Sequence, residues 1–439
     1  MIPLDPTLIC VLALALFLGF IFLGVPIGIA LGSAGFLGIV ALKGLPVALN
    51  TLEMLPYSST ASWVLSVIPM FILMGNVTFL AGFTRDAYSA AYKWVGKYPG
   101  GLGIATLLGA TCFGACSGSS IAATAALGKS ALPEMLRFRY SQKLASGCVT
   151  MGGTLSALIP PSILMVIYGV VTEESISKLL MAGLIPGVVS LILFCLLTLG
   201  WALLRPEDAP RGERFTLKEK LQSLKGIGGV SVLFICVVGG LLSGVFTATE
   251  AGAVGALIVF VLAFITKRLT RWATVKEIIM DSLKVTSSIF MIVIGAYIFI
   301  QFMALTRVPI LFSTWVIGLP LHRMFILIGV IVVYLLLGCI LDALGLILLT
   351  VPFIGPIMFG LGFHPIWFGV LLVKLVEIGL LTPPVGIQAY VLKGVGPPDL
   401  TLDNIFLGIF PFFLVDVFVF TALLIVFPEI ALFVPSLMK

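Results

Sequence analysis

Charge is scarce in this chain. Of its 439 residues only 10% are Asp, Glu, Lys or Arg, against 60% hydrophobic, whereas soluble globular domains are about 25% charged. No soluble core hides that much apolar surface, so the sequence reads as a polytopic membrane protein. Histidine is nearly missing. His322 and His364 stand far apart in segments read as loops, too few to form an imidazole site. No HExxH, GxSxG or GxxxxGK(S/T) pattern occurs, so nothing argues for an enzyme or for direct use of ATP. A basic stripe interleaved with aromatics is also missing, which removes nucleic acid as a partner. The net charge of +6 reports topology instead. No Lys or Arg precedes Lys43 and no small-x-small site follows Leu8–Leu23, so the first apolar run is expected to stay as a span. The cysteines (Cys10, Cys112, Cys116, Cys148, Cys195, Cys236 and Cys339) all lie in apolar segments and read as small buried hydrophobes. Cys112 and Cys116 are one helical turn apart, but no His or carboxylate accompanies them to build a metal site.

Apolar length is what the chain does have. A spanning helix needs about 20 apolar residues, and spans are expected near 6–24, 26–42, 63–82, 144–171, 179–204, 227–246, 249–266, 285–304, 366–391 and 405–427. Two further apolar regions, 100–133 and 324–360, are interrupted near Ser117–Ser120 and Asp342–Gly345. Each half is about 15 residues, short for a crossing, so both are read as re-entrant hairpins. With the N-terminus outside, segments 84–98, 134–143, 205–225, 267–284 and 392–404 face inward and hold most of the Lys and Arg. The outer side keeps only Lys43, Lys178, Arg307, Arg323 and Lys439, as the positive-inside rule requires.

The two halves repeat. IPPSILMVIYG from Ile159 matches TPPVGIQAYVL from Thr382, with Pro160 and Pro383 223 residues apart. Ser119 and Asp342 stand 223 apart, and GVPIGIALG from Gly24 pairs with GVFTATEAG from Gly244 at 220. PMFILMGN (69–76) pairs with IFMIVIGA (289–296) within a few residues of that spacing. The fold class is therefore all-α: an inverted repeat of about five spans plus one hairpin each, or ten to twelve transmembrane helices. Repeat one covers 1–204, a polar cytoplasmic connector covers 205–226, and repeat two covers 227–439. Inverted repeats with interrupted helices at matching places mark secondary transporters.

Broken helices expose N–H and C=O groups that lipid cannot satisfy. N-terminal ends favour anions, and freed carbonyls favour cations. Repeat one offers Ser117, Gly118, Ser119 and Ser120 at its tip, with Gly152, Gly153, Thr154, Ser156 and Ser162 around Pro160 and Pro161. Repeat two offers Gly338, Asp342 and Gly345, facing Gly379, Thr382 and Gln388 around Pro383 and Pro384. Hydroxyls and carbonyls with few carboxylates suit Na⁺ better than Ca²⁺. Asp342 reads either as an ion ligand or as a helix cap. Lys374 and Glu377, three apart, are expected to pair with each other; Glu250 is left open.

Together GACSGSS, GGTLSALIPPSI, GVFTATEAGAVGA and GLLTPPVG resemble the large membrane (M) subunit of TRAP transporters, the tripartite ATP-independent periplasmic family, over essentially the whole chain. The resemblance implies Na⁺-coupled uptake of an organic acid such as a C4-dicarboxylate or sialic acid across a bacterial inner membrane. It implies delivery by a periplasmic substrate-binding protein and a small four-helix membrane subunit, expected here as a separate chain. It implies an elevator in which 100–171 and 324–391 move against the remaining scaffold. Carried over residue by residue, it places one sodium site at Ser117, Ser119, Gly152, Leu155 and Pro160. The other falls at Asp342, Gly379, Thr382 and Pro384. Ser120, Thr154, Ser156, Ser162 and Gln388 are assigned to the substrate. A stand-alone ion-coupled anion transporter of related fold stays open at this point, and a channel fits the repeat poorly.

Overall fold

In lipid every backbone polar group must be satisfied within its own segment, which leaves helices as the element for long apolar runs. The computed structural model describes residues 5–438, and among these it contains helices and turns but no strand. Lys439, counted above with the outer side, lies outside the described residues.

The first half holds α1 (Pro6–Phe22), α2 (Ile27–Lys43), α3 (Leu45–Thr60), α4 (Val67–Leu80) and α5 (Phe83–Val95). Hairpin 1 follows as α6 (Gly101–Ser117) and α7 (Ser120–Ser130), then α8 (Leu132–Arg137). A broken span, α9 (Gln142–Leu155) and α10 (Ile163–Thr172), leads to α11 (Ile176–Ala182) and α12 (Leu184–Leu204). The second half holds α13 (Leu217–Leu242), α14 (Ala248–Ile265), α15 (Trp272–Thr306) and α16 (Val308–Ile317). Hairpin 2 is α17 (Arg323–Gly338) and α18 (Ala343–Gly360), and the second broken span is α19 (Pro365–Gly379) and α20 (Ile387–Val395). The chain closes with α21 (Leu402–Leu414), a π-helical turn Val415–Phe420, α22 (Thr421–Val426) and α23 (Glu429–Ser436). Seven helical stretches are long and apolar enough to cross a membrane; α1 and α2, at 17 residues each, stand at the lower bound of about 17.

Packing repeats with the sequence. Helix α2 lies against α15, and its counterpart α14 lies against α4, the counterpart of the second part of α15. Likewise α10 packs on α18 and α20 packs on α7. Each half thus completes the other, the pattern of a pseudo-two-fold exchange. The α2–α15 contact is backbone to backbone: a Cβ on Gly28 would stand 2.5 Å from the Met291 carbonyl oxygen, and one on Gly35 2.8 Å from Phe299 Cα. Small residues allow this close approach, which in lipid supplies the packing that hydrophobicity cannot.

All five segments read as inward-facing lie on one side. Arg268 pairs with Asp86 and donates to the Ala81 carbonyl, joining 267–284 to 84–98. Trp94 donates to the Lys220 carbonyl and Ser141 N–H to that of Asp208, bringing in 205–225 and 134–143. Gln142 and Asn404 bond side chain to side chain, adding 392–404. Both hairpins return to the side they left. Tyr140 OH accepts from Leu102 N–H at 3.2 Å, joining the two ends of hairpin 1. The Arg323 guanidinium lies 5.4 Å from the Phe363 ring centroid, joining those of hairpin 2.

Several boundaries differ from expectation. Helix α18 has 18 residues, not about 15, and is long enough to cross; the contact between Arg323 and Phe363 shows that the chain returns, which a hairpin and a pair of spans have in common. The polar connector is helical from Leu217, where Thr216 and Glu219 form a reciprocal capping box. Helix α15 runs 35 residues, about 50 Å at 1.5 Å per residue, because the charges Lys276, Glu277, Asp281 and Lys284 lower hydropathy without breaking a helix. Glu250 closes a second capping box with Thr247 at the start of α14.

Candidate functional site

Hairpin 1 turns at Gly118, whose φ of +62° is left-handed. A Cβ there would stand 2.6 Å from the Pro161 carbonyl oxygen, so the tip seats directly on the break between α9 and α10. Ile163 N–H donates to the Gly118 carbonyl at 3.4 Å across that seat. Ser119 caps α7, accepting from Ala122 N–H, and Ser162 caps α10, accepting from Met165 N–H, each at 3.3 Å. Two helix N-termini therefore begin side by side, an arrangement that attracts an anion.

Beside them, the buried Ser117 hydroxyl has no hydrogen-bond partner. Such a group costs about 1–3 kcal/mol unless something coordinates it. Ser156 N–H turns to the Gly153 carbonyl at 3.0 Å, which frees the Gly152 carbonyl from its i+4 donor. Ser117 packs its Cβ against Gly75 of α4, and Gly152 lies against Ala110 and Leu107 of α6, so the structure shows no contact between these two oxygens. The Leu155 carbonyl, assigned to the same site, already accepts from Leu158 and Ile159 N–H at 3.1 Å each. Thr154 and Ser156 are buried and turn their hydroxyls to the Met151 and Ala110 carbonyls. Pro160 lies buried in the break, where Pro160–Pro161 is cis, as is Pro383–Pro384 in the second break.

In the second half, Asp342 does what Ser119 does 223 residues earlier: its carboxylate caps α18, accepting from Gly345 N–H at 3.0 Å. Hairpin 2 meets its broken span through glycine, a Cβ on Gly338 standing 2.6 Å from Gly379 Cα. Thr382 donates to the Ile378 carbonyl at 2.9 Å. The two breaks differ in access. Residues 151–169 are all buried, whereas Pro383, Pro384 and Val385 are exposed. Thr382 and Pro383 line a cavity of about 490 Å³ with Asp403, Phe406 and Phe410.

Glu377 does not pair with Lys374. Its carboxylate accepts from Ser120 Oγ and from Gln388 Nε2, both at 2.8 Å, and Thr124 Oγ1 donates to Gln388 Oε1 at 3.3 Å. Gln388, assigned above to the substrate, is buried and uses both its amide nitrogen and its amide oxygen in this ring. Lys374 instead meets Asp416 at 2.8 Å and donates to Ser190 Oγ at 3.0 Å, between the rings of Phe194 and Phe420. Helix α19 is enclosed on all sides, so each charge finds its partner on another helix. Asp416 went unnoticed in the sequence although a lone acid inside an apolar run is a signal in itself. It sits in the π-helical turn, an irregularity frequent at functional sites. Among the described residues no group of three or more His, Cys, Asp or Glu is placed to hold a metal.

Residues 14–430 match the family described as the tripartite ATP-independent periplasmic transporter, DctM component. The chain belongs to this family. It is 35% identical to the C4-dicarboxylate TRAP transporter large permease protein DctM of Pseudomonas aeruginosa, over 83% of this chain and 85% of that one. It is 33% identical to the 2,3-diketo-L-gulonate TRAP transporter large permease protein YiaN of Escherichia coli, over 84% and 87%. It is 29% identical to the sialic acid TRAP transporter large permease protein SiaM of Vibrio cholerae, over 96% and 97%. The fold is similar to that of the YdaH transporter of Alcanivorax borkumensis, with a TM-score of 0.61 at 13% identity over 87% of this chain and 89% of that one. This TRAP large permease is thus a multi-pass membrane protein whose relatives are transport proteins rather than enzymes.

Proposed function

We propose that this TRAP large permease takes up an organic acid with Na⁺ across a bacterial inner membrane, its N-terminus on the periplasmic face. A periplasmic binding protein hands over the substrate, and a small four-helix membrane subunit completes the complex. The observation that carries the reading is the seat of hairpin 1. The capped N-termini of α7 and α10 converge there, with the buried, unpartnered Ser117 hydroxyl two residues before the Ser119 cap; the converging N-termini support an anion and the open hydroxyl supports a cation. The named cargoes of the three relatives, C4-dicarboxylate, 2,3-diketo-L-gulonate and sialic acid, are all acids. Segments 100–171 and 324–391 form the moving body of an elevator, and the unequal exposure of the two breaks is what an alternating-access state presents.

Sodium dependence of uptake tests the site. Ser117→Ala removes one ligand and raises half-saturating sodium by about tenfold, the scale of one hydrogen-bond-sized contact to a charge. Asp342→Asn separates the two roles of that residue, because Asn caps a helix about as well as Asp but carries no charge. A charge-dependent ion site loses sodium affinity in this variant. Wild-type sodium curves in both variants would remove these residues from the ion sites.

A further inference from the structure

Glu377 is fully buried in the protein interior, and among the described residues no ion pair includes it. Lys374, one turn away, is committed to Asp416. A carboxylate is an expensive way to hold two helices together inside a bilayer, where an apolar contact does so without desolvation cost. Its position is what sets it apart. Through Ser120 it holds the first residue of α7, three residues from Ser117, at the tip of hairpin 1. Through its own backbone it lies two residues from Gly379, where α19 ends at the second break. Through Gln388 it holds the start of α20, which continues beyond that break. The ring Ser120–Glu377–Gln388–Thr124 closes because α20 packs on α7. Gly153 of α9 lies against Thr124 and the Ser120 carbonyl, so the first break touches the ring as well.

We propose that Glu377 is the positioning residue that couples the two sodium sites, one in each repeat; the inference rests on the sodium reading above. An ion at Ser117 and Gly152 orders the tip of hairpin 1, and this fixes the Ser120 hydroxyl on Glu377. Held at that end, α19 and α20 present the Gly379 and Thr382 oxygens in place before the second ion arrives. Coupling of this kind is reciprocal, since each ion strengthens the other by the same factor.

The test is equilibrium binding of radioactive sodium to the purified permease complex. Wild type gives a sigmoidal isotherm with a Hill coefficient of about 1.4–1.5, as a coupling of about 5- to 10-fold between two sites requires. Ser120→Ala and Glu377→Gln each bring it near one and raise half-saturating sodium by about 2- to 3-fold, the square root of a coupling of about 5- to 10-fold at the low end of measured inter-site couplings. The double variant is no worse than either single one, because both remove the same link. Ser120→Ala, a loss of one oxygen, decides the matter should Glu377→Gln fail to fold. Sigmoidal isotherms in both variants, additive losses in the double variant, or a non-cooperative wild type would overturn the coupling while leaving sodium transport intact. Absence of any saturable sodium binding in wild type would overturn the sodium reading together with it.

Discussion

Lys374→Met will leave most of the protein unable to survive heating that the wild type tolerates. Lys374 and Asp416 are fully buried and 2.8 Å apart. The Lys374 ammonium at 2.8 Å is the one charge that compensates the burial of Asp416 among the described residues. Removing one partner of a buried ion pair costs about 3–5 kcal/mol, because the remaining charge has no solvent to return to. That is a large part of a typical net stability of about 5–15 kcal/mol. The loss is read as the fraction remaining monodisperse in size-exclusion chromatography after a heat step. Lys374→Met combined with Asp416→Leu replaces both charges with apolar groups of similar volume and restores much of the lost stability. A single variant as stable as wild type would show that Asp416 sheds its charge by taking up a proton or reaches water. A double variant no better than the single one would show that the π-helical turn itself needs the carboxylate.

The second large effect falls on transport. Gly118→Val places a β-branched residue at a φ of +62° and a Cβ 2.6 Å from the Pro161 carbonyl oxygen. The left-handed conformation alone costs about 1–2 kcal/mol, and the clash lifts the hairpin tip off the break. A displacement of about 1 Å at a reacting or binding centre can cost about 100-fold in rate, and uptake is expected to fall on that order. Gly200→Ala is the control: a Cβ added at Gly200 would meet nothing within 4 Å, and in mid-helix Ala is favoured over Gly by about 1 kcal/mol. Uptake by Gly118→Val at the wild-type rate would separate the tip from the transport site.

What the sequence made legible was local. Gly118, the serines around it and the two Pro-Pro pairs act on their own backbone, so the hairpin tips and the breaks stand where composition puts them. The 223-residue spacing survives because the repeated signals are backbone devices: Ser119 and Asp342 differ in chemistry but cap their helices in the same way. That the five Lys- and Arg-rich segments share one side was legible because Lys and Arg are sorted by the membrane itself. Amphipathic pieces were not. Helix α5 carries Arg85, Asp86 and Lys93 on one face and buries Phe83, Ala87 and Tyr88 on another, so its mean polarity looks like that of a loop. Partner choice was hidden for a different reason. Glu377 meets Ser120 across 257 positions, and Lys374 meets Asp416 from a different helix; helical spacing suggested only the neighbour three residues away, and burial on every face of α19 supplied better ones.

The most direct measurement is uptake into proteoliposomes that contain the permease complex, with labelled organic acid presented on its binding protein. An inward sodium gradient is predicted to drive accumulation, and accumulation is predicted to stop when either the gradient or the binding protein is withheld. Accumulation without the binding protein would make this a stand-alone transporter, and flux that ignores the gradient would make it a channel; either result would contradict sodium-driven, binding-protein-dependent uptake.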